Sequence, residues 1–179
     1  LAPARARTPV IEDQVAEPAA KPEPLRPLPP VSPEAQALRD ADERFDEKEF
    51  LNGAKIAYEM IIEAFSAGDL RNVRRYLGQT VFSAFRAAAA EREQRGQTSD
   101  VKFVGVEKAT IVRSEARDGE LLAVIEFVSD QVRVTRDKGG AVIAGDPQRI
   151  DRVVDRWTFS RKTDSDDPNW TLVATGGAS

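Results

Sequence analysis

Asp118-Gly119-Glu120-Leu121-Leu122-Ala123-Val124-Ile125-Glu126-Phe127-Val128 sets a two-residue turn directly against a long apolar run. Asp-Gly is favoured where both central residues of a tight hairpin need positive φ, so this stretch predicts a turn that hands the chain straight into a strand. Before the turn, Val101 to Arg113 alternates with the strand period, and after it the second strand runs from Glu120 to Val134. Lys138-Gly139-Gly140 turns the chain again, Ala141 to Ala144 reads as a short strand, and Gly145-Asp146-Pro147 as a break. Ile150 to Arg161 is a further long strand with Val153, Asp155, Trp157 and Phe159 on one face. Asp164 to Pro168 forms an acidic loop, and Asn169 to Thr175 closes the sheet.

N-terminal to this meander the period is helical. Phe50, Leu51, Ala54, Ala57, Tyr58, Ile61, Ile62 and Phe65 fall on one apolar stripe, widened by Ile56 and Met60. Gly68 stops this helix, and Asp69 is placed to cap a short second one with Leu70, Val73, Tyr76 and Leu77 facing inward. A third starts near Thr80, presents Val81, Phe82, Ala84, Phe85, Ala88 and Ala89, and ends by Gly96. Helices followed by antiparallel strands predict an α+β layer, with N-terminal helices packed in the concave face of a curved antiparallel sheet.

Composition narrows the function. With no histidine and no cysteine, the commonest general base, the commonest zinc ligand, a thiol nucleophile and a disulfide framework are all missing. Neither a catalytic nor a metal site is predicted, and no cofactor. Asp164, Asp166 and Asp167 lack the spacing, glycine and distal glutamate of a calcium loop and read as a solvated acidic turn. A net charge of −4 argues against a dedicated nucleic-acid binder. No run of about 18 apolar residues is present to span a bilayer.

Nine of the 11 prolines lie at or before Pro33, which marks a boundary. Residues 1–33 are read as a disordered proline-rich linker, 34–46 as a polar helical lead-in with Ser32 as its cap, 47–175 as the folded domain, and 176–179 as a tail.

Phe50-Leu51-Asn52-Gly53-Ala54-Lys55-Ile56-Ala57-Tyr58-Glu59 and Ala64-Phe65-Ser66-Ala67-Gly68-Asp69-Leu70 carry a likeness that later runs continue in order. These are Val81-Phe82-Ser83-Ala84-Phe85, Arg92-Glu93-Gln94-Arg95-Gly96, Asp155-Arg156-Trp157-Thr158-Phe159-Ser160-Arg161, and Asp167-Pro168-Asn169-Trp170-Thr171-Leu172-Val173-Ala174-Thr175. From about Phe45 to Thr175 the chain resembles the Tim44-like domain family, named for a subunit of the mitochondrial inner-membrane import translocase. The resemblance implies a cystatin-like or nuclear-transport-factor-two-like cone with a large apolar pocket and a non-catalytic adaptor role at a membrane. Implied partners are anionic inner-membrane lipids, cardiolipin among them, and membrane or translocating proteins. Bacterial members carry a membrane helix, then a proline-rich linker, then this domain. The implied place is therefore the cytoplasmic face of a bacterial inner membrane, tethered by an upstream segment absent from this sequence, or the matrix side of the mitochondrial inner membrane.

Two sets of residues are candidates for binding. Phe50, Ala54, Tyr58, Ile62, Phe65, Phe82, Phe85, Phe127, Trp157 and Phe159 would line the pocket; the competing reading is ordinary core. Arg71, Arg74 and Arg75 on one side of the short helix, and Arg86 on the next with Arg92 and Arg95, would meet anionic headgroups; the competing reading is a solvated face with local ion pairs to Glu91 and Glu93. Two further functions stay open. One is a soluble carrier of lipid or a small apolar ligand; the other is a cone-fold isomerase or dehydratase using Tyr58 with Asp155 or Glu126.

Overall fold

The computed structural model describes residues 27–176. The linker reading for residues 1–26 and the tail reading for 177–179 lie outside them. Helices α1 (Gln36–Ala41), α2 (Glu47–Ala67) and α3 (Gln79–Gln94) precede β1 (Thr98–Arg117), β2 (Glu120–Arg136), β3 (Val142–Gly145), β4 (Asp151–Lys162) and β5 (Thr171–Thr175). The named strands all pair antiparallel, in the order β1-β2-β4-β5 with β3 on the far end of β2. This is the α+β cone read from the sequence.

Every odd position of β2 from Leu121 to Gln131 is buried, while the even ones are half-buried or exposed. That alternation aims Ala123, Ile125 and Phe127 at α2, where they meet Ala54, Tyr58 and Ile61 in one core with Trp157, Phe159 and Leu172. Asp118 and Gly119 take φ of 53° and 75°, the positive pair that the hairpin requires. β1 is longer than its alternation suggested. Three register shifts interrupt its pairing with β2, so the apolar period breaks while the hydrogen-bonded ladder continues. The same irregularities blunt an otherwise long edge strand.

Asp46 caps α2 by accepting from the Glu49 amide at 3.1 Å. At the other end Gly68, at φ 75°, lets the helix finish in a left-handed turn, with its amide and that of Asp69 on the Ala64 and Phe65 carbonyls. The segment after it differs from the predicted short α-helix. It is a six-residue 3-10 turn, Arg71–Tyr76, because Asp69 accepts from the Arg71 amide at 3.1 Å and leaves only a short span before Gly78. The Gly78 amide then joins the Leu172 carbonyl at 2.8 Å, which covers the β5 edge and seats the start of α3.

The polar lead-in is packed. Ala35 and Leu38 are fully buried in the core, and Ser32 stands as the cap of a 3-10 turn at Pro33–Ala35. Its hydroxyl, however, serves the tertiary fold: amide and hydroxyl both donate to the Glu47 carboxylate, at 2.7 and 2.6 Å. No described helix is long and apolar enough to cross a membrane.

Candidate functional site

The aromatic residues expected along one pocket divide into a closed centre and two open clefts. At the centre, Tyr58 stacks on Phe127 at 4.3 Å, and Trp157 lies 4.7 Å from the Tyr58 ring; all three are essentially inaccessible. Ile62 is half-buried against the same core. Side chains this large fill the concavity of the sheet once they interlock, which periodicity could not reveal.

Tyr58 and Asp155 do come together. The phenol donates to the Asp155 carboxylate at 2.5 Å and accepts from the Gln131 amide at 3.2 Å, while Gln131 also donates to Ser129 at 2.8 Å. Burial, and then the hydrogen bond to Asp155, push the phenol far above its usual titration range. Glu126 does not join them: it sits on the opposite face of β2 and pairs with Arg156 at 2.9 Å. Neither Tyr58 nor Asp155 lines either cleft.

The larger cleft, about 1250 Å³, opens between the Arg71–Tyr76 turn, α3 and the start of β1. It exists because α3 stands away from the sheet: only Val81 of that helix is fully buried, and Ala84 and Ala88, expected on its apolar face, are exposed. Arg71, Arg74 and Arg86 line it with Arg92 and Phe82. Arg71 is neutralised by Asp69 through a two-pronged bond of 2.9 and 2.6 Å, which holds that carboxyl at a pKa of about 2.

The other three guanidinium groups have no carboxylate partner among the described residues. Arg74 lies 4.0 Å over the Phe82 ring and donates to the Leu77 carbonyl and the Gln79 side chain. Arg92 spans Phe65 and donates to the Phe65 and Ser66 carbonyls, at 2.7 and 3.1 Å, where the α2 dipole is negative. Arg86 makes neither hydrogen bond nor ion pair among the described residues. Glu93 and Asp100 are the further carboxylates at the rim. Arg75 lies elsewhere, folded back on Tyr76, and Arg95 pairs with Glu91 at 2.6 Å. Phe85 packs on Phe65 beside the cleft, with centroids 4.9 Å apart.

A second cleft, about 520 Å³, lies between the N-terminal half of α2 and the loop before β5. Phe50, Ala54 and Phe159 from the predicted pocket line it, joined by Phe45, Trp170 and Arg161. Phe50 is 5.4 Å from Phe45 and 4.7 Å from Trp170, ring centre to ring centre. Trp170 is held there by the preceding loop, where Asp167 accepts from both the amide and the side chain of Asn169. Sequence reading found the aromatic residues of α2 but not Arg161 or Trp170 as cleft residues, because the loop that brings them over α2 has no period of its own.

The Tim44-like domain model matches residues 33–177 of this chain. The chain belongs to the Tim44-like domain family. Two relatives are described as mitochondrial import inner membrane translocase subunits. One is the probable mitochondrial import inner membrane translocase subunit tin-44 of Caenorhabditis elegans, 21% identical over 76% of this chain. The other is the mitochondrial import inner membrane translocase subunit TIM44-1 of Arabidopsis thaliana, 18% identical over 69% of this chain. This chain spans 33% and 26% of their lengths, respectively. Among solved structures, the intermembrane space region of the chloroplast protein ARC6 superposes with a TM-score of 0.48 and 17% identity, covering 74% of this chain and 96% of that one. The match begins at Pro33, so the lead-in belongs to the Tim44-like region as well as to the packed core.

Proposed function

We propose that this Tim44-like domain is a non-catalytic adaptor at the surface of an energy-transducing inner membrane, where the arginine cleft engages anionic lipid headgroups while other surfaces meet membrane or translocating proteins. One observation carries the reading: Arg74, Arg86 and Arg92 present guanidinium groups without carboxylate partners around one open cleft. Clustered positive charge of this kind attracts phosphate, and each basic residue near an anionic bilayer contributes about 1 kcal/mol. The named relatives support the membrane side of the proposal. Cardiolipin, with two phosphates on one headgroup, suits several guanidinium groups at once. The cytoplasmic face of a bacterial inner membrane, or the matrix face of the mitochondrial one, is the corresponding place.

Flotation with liposomes, with and without cardiolipin, tests this. Wild-type chain is expected to float with cardiolipin vesicles at low salt and to be released as salt rises. Arg74→Gln combined with Arg86→Gln is expected to weaken binding about 30-fold, from two lost contributions of about 1 kcal/mol each. Arg86→Glu alone, at a position with no hydrogen bond or ion pair among the described residues, should also weaken it. An absence of flotation at low salt would remove the proposal.

The second cleft favours a further reading, a carrier of lipid or a small apolar ligand. Lipid retained in native mass spectra after purification from cells would support it. The enzyme reading would place chemistry at Tyr58 and Asp155. A phenol whose proton is held this firmly, in a closed core, is poorly suited to transfer it near neutral pH.

A further inference from the structure

Ile56 and Met60 stand one turn apart on the outer face of α2, 62% and 39% exposed. Among the described residues no other large hydrophobic of a helix is exposed to this degree. Gly53 shares their face, since at 3.6 residues per turn the three fall within about 60° of arc. A mid-helix glycine costs about 1 kcal/mol relative to alanine, and nothing inside the fold calls for this one. A Cβ there would meet no atom within 4 Å, and its φ is not positive. Exposed apolar side chains beside an unforced glycine form a ridge with a notch, the shape that lets a second helix approach closely.

The charges beside the ridge indicate which helix. Lys55 and Glu59 lie together on one flank, half-buried, and neither makes a hydrogen bond or ion pair among the described residues. Within one helix, a lysine four residues before a glutamate is the weaker order for pairing. Between two antiparallel copies of α2 related by a twofold axis, the same flanks meet. Met60 of each copy then sits over the Gly53 notch of the other, Ile56 lies at the axis, and Lys55 comes level with Glu59 of the other copy to within about one residue's rise. Glu63 falls near both Lys48 and Glu49 of the other copy, where attraction and repulsion offset. A parallel pair would set the charged flank of each copy against the apolar edge of the other. The ridge therefore matches itself in shape and in charge when antiparallel, as an isologous contact requires.

We propose that the outer face of α2 is a self-association surface on which a second copy of this chain docks, its own α2 antiparallel to the first. Gly53 and Ala57 also border the second cleft, so the contact extends towards half-buried Tyr76 and Trp170 at its rim. One helix with one cleft rim makes a small interface, which predicts exchange between monomer and dimer instead of a permanent pair. Gly53, Ile56 and Met60 do not line the arginine cleft, so self-association is tested without lipid and separately from vesicle binding.

Sedimentation equilibrium of the full chain is expected to show a mass that rises with concentration from one copy towards two. Ile56→Glu with Met60→Glu should weaken association at least about 10-fold, and Gly53→Leu should do the same by filling the notch. Gly53→Leu should not lower the unfolding midpoint, since leucine favours the helix. Lys55→Glu and Glu59→Lys each set like charges across the axis, so either variant alone should associate at least about 10-fold more weakly than wild type. Their equimolar mixture should recover association, because opposite charges then face each other at both contacts. The chain has no cysteine, so Ile56→Cys probes the axis directly: it should oxidise to a disulfide-linked dimer faster than Ile143→Cys, a control 49% exposed on β3. The proposal is overturned if the chain stays monomeric up to about 1 mM. It is equally overturned if the ridge and notch variants associate like wild type, if the mixture associates no better than its components, or if Ile56→Cys cross-links no faster than the control.

Discussion

Tyr58→Ala is expected to lower the free energy of unfolding by about 4 kcal/mol, in line with removal of a buried aromatic ring. The ring is fully buried and touches Phe103, Phe127 and Trp157, with centroids 5.9, 4.3 and 4.7 Å away. Urea unfolding measures the change. A loss below about 1 kcal/mol would show that the centre is loosely filled and would reopen the single-pocket reading. Tyr58→Phe separates the hydroxyl from the ring. It leaves the Asp155 carboxylate without its 2.5 Å donor and Gln131 with one acceptor fewer, so a loss of about 2 kcal/mol is expected.

The same residue sets a pH dependence. An unfolded tyrosine ionises near pH 10, whereas Tyr58 in the fold holds its proton to higher pH because burial and Asp155 disfavour the phenolate. Above about pH 10 the folded state therefore binds more protons than the unfolded one, and stability falls as pH rises. Below that pH the contribution is fully present. Comparing unfolding free energies at pH 9 and above about 10 should show a steeper decline in the wild type than in Tyr58→Phe. Equal slopes would contradict the buried network.

Gly145→Ala is the second large effect, expected at about 3 kcal/mol. Gly145 ends β3 at φ 77°, opposite Val134, and a Cβ there would stand 1.9 Å from the Arg133 carbonyl oxygen and 2.9 Å from its carbon. Backbone cannot yield as a flexible side chain does, so β3 must move off β2. Amide exchange at Val134 to Arg136, the β2 residues facing β3, should speed up with the loss of stability. Unchanged protection there would mean that β3 contributes little to the sheet. Gly53 is the opposite case, because no part of the fold crowds its missing side chain.

Some of this architecture is written in local pattern. The alternation of β2, the Asp118-Gly119 turn, the α2 stripe and the Gly68 stop are properties of neighbouring residues, and each appears in the fold. Cone class and the absence of histidine and cysteine chemistry follow from the sequence in the same way. Leu38 was harder to place. A lone leucine among polar residues gives no stripe, yet it is fully buried because the lead-in folds back on the sheet.

The candidate sites depended on long-range geometry. The sequence alone determined that a curved sheet would cover a greasy helix and that arginines would gather near the second and third helices. Tertiary packing decided that Tyr58, Phe127 and Trp157 close the middle, that α3 stands off to open the arginine cleft, and that the Asn169–Trp170 loop roofs the second cleft. The physical reason is range. Periodicity and turn chemistry report which way a residue faces relative to its neighbours, whereas an empty volume depends on how side chains far apart in the chain fail to meet.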